Sequence, residues 1–185
     1  TDSGTLGAGN LNITKYFYTL TIGVNNGDYG SVSPTSLIVP NNNTTYSTSG
    51  ATLTLKDGRK ATATVKNATG YTTKFSSWSS ASGTITGATT VNANFTRTAN
   101  TYTIAFNGNG ATGGSTGSTS ATYDQNKTLP TNGFTKTGYT FAGWTTKTNG
   151  TDDGYGWTNW KGIWKYVDGQ YGIASGKLQL YARCT

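Results

Sequence analysis

The residue types that carry most enzyme chemistry are missing from this chain of 185 residues. It contains no histidine and no glutamate, and all seven acidic residues are aspartates. Without histidine, a Ser-His-Asp triad and any metal site with a histidine ligand are excluded. A single cysteine, Cys184, cannot form an internal disulfide or an all-cysteine metal site. The composition therefore favours a non-enzymatic protein without a cofactor.

Two short patterns resemble ligand sites but lack essential features. Gly108–Gly113 has the spacing G-x-G-x-x-G after a predicted strand, which is the pattern of dinucleotide-binding loops. The glycine- and serine-rich residues that follow cannot start the helix that such a loop needs, so we expect a flexible hairpin loop. Asp152 and Asp153 lack the regularly spaced oxygens of a calcium loop, and nothing around them indicates a catalytic carboxylate pair. A solvated loop is expected there.

Aromatic residues crowd into one stretch near the C-terminal end and are candidates for a ligand platform. They are Trp157, Trp160, Trp164, Tyr166 and Tyr171. Such rings stack on sugars and are enriched at binding hot spots. A domain of about 80 residues also has a thin core that needs large side chains. Two interpretations stay open: a surface that binds a ligand, and a cover for the core.

Asparagine and cysteine side chains offer sites for modification. Seven Asn-x-Ser/Thr sequons begin at Asn12, Asn42, Asn43, Asn67, Asn94, Asn126 and Asn149. They would carry glycans only in a secreted protein of a glycosylating organism. Cys184 is expected either to pair with another chain or to be an inert buried thiol.

Several features favour an extracellular location. The chain starts at Thr1 and has no methionine, which we interpret as removal of a signal peptide. No stretch approaches about 20 apolar residues, so no membrane span is expected. The formal net charge is +7, but the basic residues are scattered rather than clustered. This scatter argues against nucleic acid as a partner, and the charge suits contact with an anionic cell-wall polymer.

The elements that would position these residues are β-strands, because threonine and aromatic residues are abundant and no long helical pattern occurs. Gly138–Trp144 alternates apolar with small or polar residues, and Gly70–Trp78 is a blurred copy of it. Both stretches are predicted to be strands with one buried face. The side chains predicted to be largely buried are Tyr71, Phe75, Trp78, Tyr139, Phe141 and Trp144.

The repeated patterns predict a mostly β protein with two tandem small domains and an extended N-terminal arm. Residues 1–17 form the arm, residues 18–98 the first domain, and residues 102–185 the second domain. The openings of the two domains, Tyr18 and Tyr102, are 84 residues apart, whereas Trp78 and Trp144 are 66 apart. The front of the first copy is therefore longer than that of the second.

The second domain carries an ordered series of sequence blocks. They are Tyr-Thr-Ile-x-Phe at 102–106, Thr-Leu-Pro at 128–130, Thr-Gly-Tyr-Thr-Phe-Ala-Gly-Trp at 137–144 and Leu-Gln-Leu-Tyr-Ala-Arg at 178–183. In these blocks the chain resembles the Listeria–Bacteroides repeat, the family of internalin B-repeats, although Cys184 stands where the family usually has an aromatic. The first domain resembles a looser relative.

The resemblance implies a β-grasp-like fold, with a curled sheet of about four strands and at most a short helix. It also implies a secreted or surface protein in which such repeats serve as stalks and adhesive modules. The family has no catalytic residues to carry over.

We therefore expect a non-enzymatic extracellular structural protein: a self-assembling subunit of a cell-surface filament or pilus-like appendage, or an adhesin stalk module. The alternative is a carbohydrate- or receptor-binding surface module. The expected partners are further copies of the chain, with a cell-wall polymer, a glycan or a host receptor as other candidates.

The arm provides the assembly hypothesis, because both domains look complete without it and no anchor motif follows Thr185. As a donated strand it would insert Leu6, Leu11 and Ile13 into a neighbouring copy. The competing interpretation is that Leu11–Phe17 only lengthens the first strand of its own domain.

Overall fold

The computed structural model describes residues 16–125, 127–148 and 177–185. These residues form strands and connecting turns, and none of them is helical. The mostly β fold expected from the composition is confirmed. The strands are β1 (Phe17–Val24), β2 (Gly30–Ser33), β3 (Ser36–Pro40), β4 (Thr45–Ser49), β5 (Thr52–Leu55), β6 (Lys60–Val65), β7 (Tyr71–Trp78), β8 (Ser82–Thr84), β9 (Thr89–Ala99), β10 (Thr101–Asn107), β11 (Gly113–Gly114), β12 (Thr119–Thr122), β13 (Phe134–Thr135), β14 (Phe141–Thr145) and β15 (Lys177–Cys184).

The strands follow the alternation of the sequence. In β1, Leu20 and Ile22 are buried whereas Thr19 and Thr21 are exposed, as expected for a strand with one buried face. The turn between β5 and β6 contains Gly58 at a φ of 90°, which glycine adopts without steric cost. Asp57-Gly58 is a hairpin signal in the sequence, and β5 and β6 pair antiparallel across it.

The chain divides into two compact units. The first comprises Thr1–Asn67 and Thr73–Arg97, and the second comprises Ala68–Thr72 and Thr98–Thr185. The short segment Ala68–Thr72 therefore packs with the second unit, where the Tyr71 ring lies edge-on against Tyr123 with 5.4 Å between centroids. The Tyr71 side chain is partly buried, as are those of Phe75 and Phe141.

The first unit contains two sheets. One has four strands in the order β3-β1-β9-β7, with β1 antiparallel to β3 and parallel to β9. The other has five strands in the order β2-β6-β5-β4-β8. The resemblance implied only about four strands per domain. The strands of the second sheet all lie between residues 30 and 84, where the first copy is longer than the second.

Side chains of both sheets form one core in the first unit. The four-stranded sheet contributes residues such as Leu20 and Val91, and the five-stranded sheet contributes Leu53 and Leu55. Each sheet thereby covers the apolar face of the other. Trp78 is 8% exposed, and its Nε1–H donates a hydrogen bond to the Gly50 carbonyl oxygen at 2.9 Å.

The second unit repeats the strand order of the first unit's four-stranded sheet. Its order is β12-β10-β15-β14, with β10 antiparallel to β12 and parallel to β15. The glycine-rich tract after β10 contains β11, which pairs with β13. This tract is therefore not simply the flexible loop expected from its composition.

Trp144 lies at the centre of the second core and is 2% exposed. Its ring centroid is 4.6 Å from that of Phe106, 6.2 Å from that of Phe134 and 5.0 Å from that of Phe141. The predicted burial of Trp78 and Trp144 is confirmed.

The prediction for Tyr139 is wrong, because this side chain is 56% exposed. β14 begins only at Phe141, and Tyr139 follows Gly138, whose φ of 79° places it in the left-handed region. That conformation makes a turn where alternation predicted a strand. Phe75 and Phe141 are half-buried and pack at the edges of the two cores.

Candidate functional site

The N-terminal end of β1 is where the predicted arm joins the first unit. On one side, β1 pairs with β3, and next to this pairing the Asn41 N–H donates a hydrogen bond to the Tyr16 carbonyl oxygen at 3.0 Å. On the other side, pairing with β9 starts only at Leu20 opposite Thr89. Phe17, Tyr18 and Thr19 therefore pair with β3 before the pairing with β9 begins.

Large apolar side chains are exposed at this same end of the sheet. Tyr16, Phe17 and Ile38 have between 43% and 52% of their surface exposed. Phe17 pairs with Pro40 and Thr19 with Ile38, so the Phe17 and Ile38 side chains lie on the sheet face opposite the core. An exposed apolar patch of this kind is typical of an interaction surface.

The free side of β3 is blocked in ways that oppose pairing with another strand. The carbonyl oxygen of Ile38 accepts a hydrogen bond from Arg59 Nη1 at 2.9 Å. Pro40 has no N–H to donate, and its carbonyl oxygen accepts a hydrogen bond from Thr44 Oγ1 at 3.3 Å. Prolines and charged side chains at an edge strand hinder edge-to-edge association.

Arg59 is fixed in this position by Asp57. The two side chains form an ion pair of 2.9 Å between Arg59 Nη2 and Asp57 Oδ2. Hydrogen bonds from the Arg59 side chain and backbone hold the pKa of the Asp57 carboxyl below its usual value.

A second candidate surface is an open groove in the second unit, with a volume of about 400 Å³. Its rim is the turn from Lys136 to Tyr139, and Phe134 and Phe141 line it as well. The Lys136 Nζ lies 4.6 Å from the centroid of the Tyr139 ring, within the range of a cation–π interaction. The turn combines an exposed aromatic ring and a cation at the mouth of a cavity.

Cys184 lines the groove and is half-buried, with its side chain packed against the second core. Both states expected for Cys184, pairing with another chain and an inert thiol, stay predictions.

Four of the seven predicted sequons lie in the described part of the chain. Asn42, Asn43 and Asn67 are exposed. Asn94 is half-buried, and its Nδ2 donates to Ser77 Oγ at 3.3 Å. Glycosylation at these positions stays a prediction.

Most of the other predicted site residues lie outside the described residues. They are the assembly residues Leu6, Leu11 and Ile13, the platform residues Trp157, Trp160, Trp164, Tyr166 and Tyr171, and the sequon residues Asn12, Asn126 and Asn149. The groove was not predicted, although Thr137-Gly138 is a turn signal that could have separated Tyr139 from the strand.

In the part of the chain that the structure describes, no helix is long and apolar enough to cross a membrane. The same residues contain no group of three or more potential metal ligands among cysteine and acidic side chains.

The match to a known family covers the second unit. Residues 102–183 match the Listeria-Bacteroides repeat domain, which corresponds to the segment from the start of β10 to near the end of β15. No curated protein and no solved structure matches the chain.

Proposed function

Residues 102–183 belong to the Listeria–Bacteroides repeat family, and on this premise we propose that the chain is a non-enzymatic structural protein of the cell exterior. Repeats of this family are found in surface proteins. Within that class, we propose a self-assembling subunit of a filament or pilus-like appendage. The missing histidine and glutamate support a role without catalysis.

The proposed assembly element is the part of the arm that precedes Tyr16, residues 1–15, because Phe17 belongs to β1. The observation that carries this proposal is the start of β1, where Tyr16, Phe17 and Ile38 are exposed and the pairing with β9 begins only at Leu20. Exposed apolar side chains beside the arm are typical of an interaction surface, which supports donation over lengthening of β1.

The proposed acceptor is a sheet edge in the second unit of a neighbouring copy. Strand addition needs accessible main-chain groups at an edge. β3 is a poor acceptor because Arg59, Thr44 and Pro40 block its free side. Among the described strands of the second unit, β12 and β14 lie at the edges of the four-stranded sheet, and neither contains proline.

This arrangement joins the arm of one copy to a different surface of the next. Such a heterologous contact gives an open filament when its rotation does not close into a ring. Leu6, Leu11 and Ile13 are the proposed side chains that fill pockets on the acceptor, while main-chain hydrogen bonds supply affinity.

Deleting residues 1–14 tests the proposal. We expect the truncated chain to lose its polymers in negative-stain images and to sediment as a monomer, while thermal unfolding shows both units still folded. Intact filaments from the truncated chain would refute strand donation.

Point variants provide a matched control for the deletion. Leu11→Asn with Ile13→Asn replaces apolar side chains on one side of the arm, and polymer formation is expected to fall. Asn10→Ser with Thr14→Ser changes the other side of the arm, and polymer formation is expected to persist. Equal behaviour of the two double variants would contradict the insertion of Leu11 and Ile13.

A further inference from the structure

We infer that the groove in the second unit binds an acidic sugar residue, a uronate unit of an anionic polysaccharide. The inference does not rest on self-assembly, because it concerns the Lys136–Tyr139 turn and its surroundings rather than the arm. Four features carry it: the placement of the aromatic ring and the cation, the anchoring of the turn, the size and floor of the groove, and the charge of its lining.

The turn fixes Lys136 and Tyr139 relative to each other. The Tyr139 N–H donates a hydrogen bond to the Lys136 carbonyl oxygen at 3.0 Å, and Gly138 at a φ of 79° occupies the third turn position, as in a type II turn. The Lys136 ammonium thereby lies 4.6 Å from the Tyr139 ring centroid. A stacking surface and a positive charge face the same small volume.

The turn is anchored to the glycine-rich tract, so it is held in place before any ligand arrives. The Thr137 N–H donates to Thr112 Oγ1 at 3.1 Å, and the Thr112 N–H donates to the Thr135 carbonyl oxygen at 2.8 Å. A side chain at Gly108 would meet the Phe134 ring at 2.7 Å, so the tract packs closely on this wall. Such preorganisation lowers the entropy cost of binding.

The groove has the size and floor of a small-molecule site. Its volume of about 400 Å³ lies in the range of about 300–1,000 Å³ that is usual for such sites. Phe134, Phe141 and Ala182 provide apolar surface, and the rim residues Thr135 and Thr140 carry hydroxyl groups. Because Tyr139 and Thr140 are exposed, the groove is open to solvent and can admit one unit of a longer polymer.

The charge of the groove lining favours an anionic ligand. None of the described residues that line the groove is acidic, and Lys136 supplies its positive charge. A uronate unit matches this lining: its carboxylate pairs with the Lys136 ammonium, its C–H face packs on the face of the Tyr139 ring that Lys136 does not cover, and its hydroxyls reach the threonine side chains. A simple inorganic anion would leave the aromatic surface unused.

Titration of the full-length chain with trigalacturonate tests the inference, followed by calorimetry and by amide shifts in nitrogen-15 NMR spectra. We expect saturable binding with shifts centred on residues 134–141, and binding at least about tenfold weaker for neutral trigalactose and for inorganic phosphate. Equal affinity for all three probes, or shifts confined to other surfaces, would overturn the inference.

Lysine variants separate the groove from the general positive charge of the chain. Lys136→Gln is expected to weaken trigalacturonate binding by about ten- to a hundredfold, because a charge-assisted contact is lost. Lys147→Gln removes an exposed lysine that is not part of the groove lining and is expected to change affinity less than about twofold. Equal losses in the two variants would overturn the inference.

Tyrosine variants test the stacking surface. Tyr139→Phe keeps the ring and is expected to retain binding, whereas Tyr139→Ala is expected to lose it. Both variants should fold, because Tyr139 is mostly exposed, and an unchanged melting temperature checks this. Retained affinity in Tyr139→Ala would contradict the proposed stacking.

Discussion

Each of the two units has its own four-stranded sheet with the same strand arrangement, but the two units complete their cores differently. In each, the first strand lies antiparallel to one neighbour and parallel to the last strand of the sheet. In the first unit, a five-stranded sheet contributes to the core. In the described part of the second unit, aromatic rings around Trp144 occupy the corresponding role. The arrangement of the four-stranded sheet is therefore the same in both units, whereas the groups that pack against it differ.

The buried tryptophans of the two units, Trp78 and Trp144, also differ in their hydrogen bonding. Trp78 donates its Nε1–H to the Gly50 carbonyl oxygen. Among the described residues, the buried Nε1 of Trp144 has no hydrogen-bond partner. The first unit therefore uses its tryptophan for packing and for a directional contact, whereas the second uses its tryptophan for packing among rings.

The largest expected effect comes from removing either ring. Trp78→Ala and Trp144→Ala should each cost about 3–5 kcal/mol of unfolding free energy, as expected for truncation of a large buried aromatic. That is a large part of the stability of about 5–15 kcal/mol that is usual for a domain. Urea unfolding followed by NMR signals from each unit should show Trp78→Ala weakening the first unit and Trp144→Ala the second. Unchanged unfolding of the affected unit would contradict the core assignment.

The ribbon of β11 and β13 is a feature of the second unit that a glycine substitution should disrupt. Gly114 has a φ of 76°, and an added side chain would overlap the Gly133 carbonyl oxygen. Gly114→Ala is therefore expected to cost more than about 1 kcal/mol. Gly117 has open space around it, so Gly117→Ala is the matched control and should have a much smaller effect on thermal unfolding. Similar melting temperatures for the two variants would show that β11 is not packed as described.

A smaller effect should reveal the hydrogen bond that distinguishes the tryptophans. Trp78→Phe and Trp144→Phe remove similar volumes, but Trp78→Phe also leaves the Gly50 carbonyl without its donor. We expect Trp78→Phe to cost about 0.5–1.5 kcal/mol more than Trp144→Phe. Chemical unfolding of both variants measures the difference, and equal costs would remove this contrast between the units.

The smallest expected effect is a pH dependence of the first unit. The pKa of Asp57 is lowered in the folded state by its contact with Arg59, so ionised Asp57 stabilises the fold. This contribution is present above the unfolded-state pKa of about 3.9 and is lost as the pH falls through the lower folded-state value. Asp57→Asn should slightly reduce the loss of stability at acid pH. If the stability of this variant and that of the unmodified chain depended on pH in the same way, a role for the ion pair would be contradicted.

The sequence predicted much of the fold because local signals were strong. The alternation around Leu20 and Ile22 predicted β1, Asp57-Gly58 predicted a hairpin, and burial of both tryptophans followed from their size. The complete five-stranded sheet was not predicted, because two of its pairings join distant residues: Gly30 pairs with Val65, and Thr45 pairs with Thr84. Pairings of this kind depend on tertiary structure and leave no local pattern.

The candidate surfaces were predicted less well, for a related reason. The groove combines Phe134, Lys136 and Tyr139 with Ala182 and Cys184 from the last strand, and no sequence window contains them together. Tyr139 fitted an alternating pattern, but the positive φ of Gly138 turned it outward. The arm was identified from its sequence, whereas the exposed side chains of Phe17 and Ile38 beside it required the register of β1 with β3.

Electron cryomicroscopy of the native assembly is the most direct test of strand donation. We predict a filament in which residues 1–15 of each copy run along a sheet edge of the next copy, with Leu11 and Ile13 inserted between its side chains. Density that places residues 1–15 within the sheet of their own first unit, or native material that is monomeric, would contradict this account.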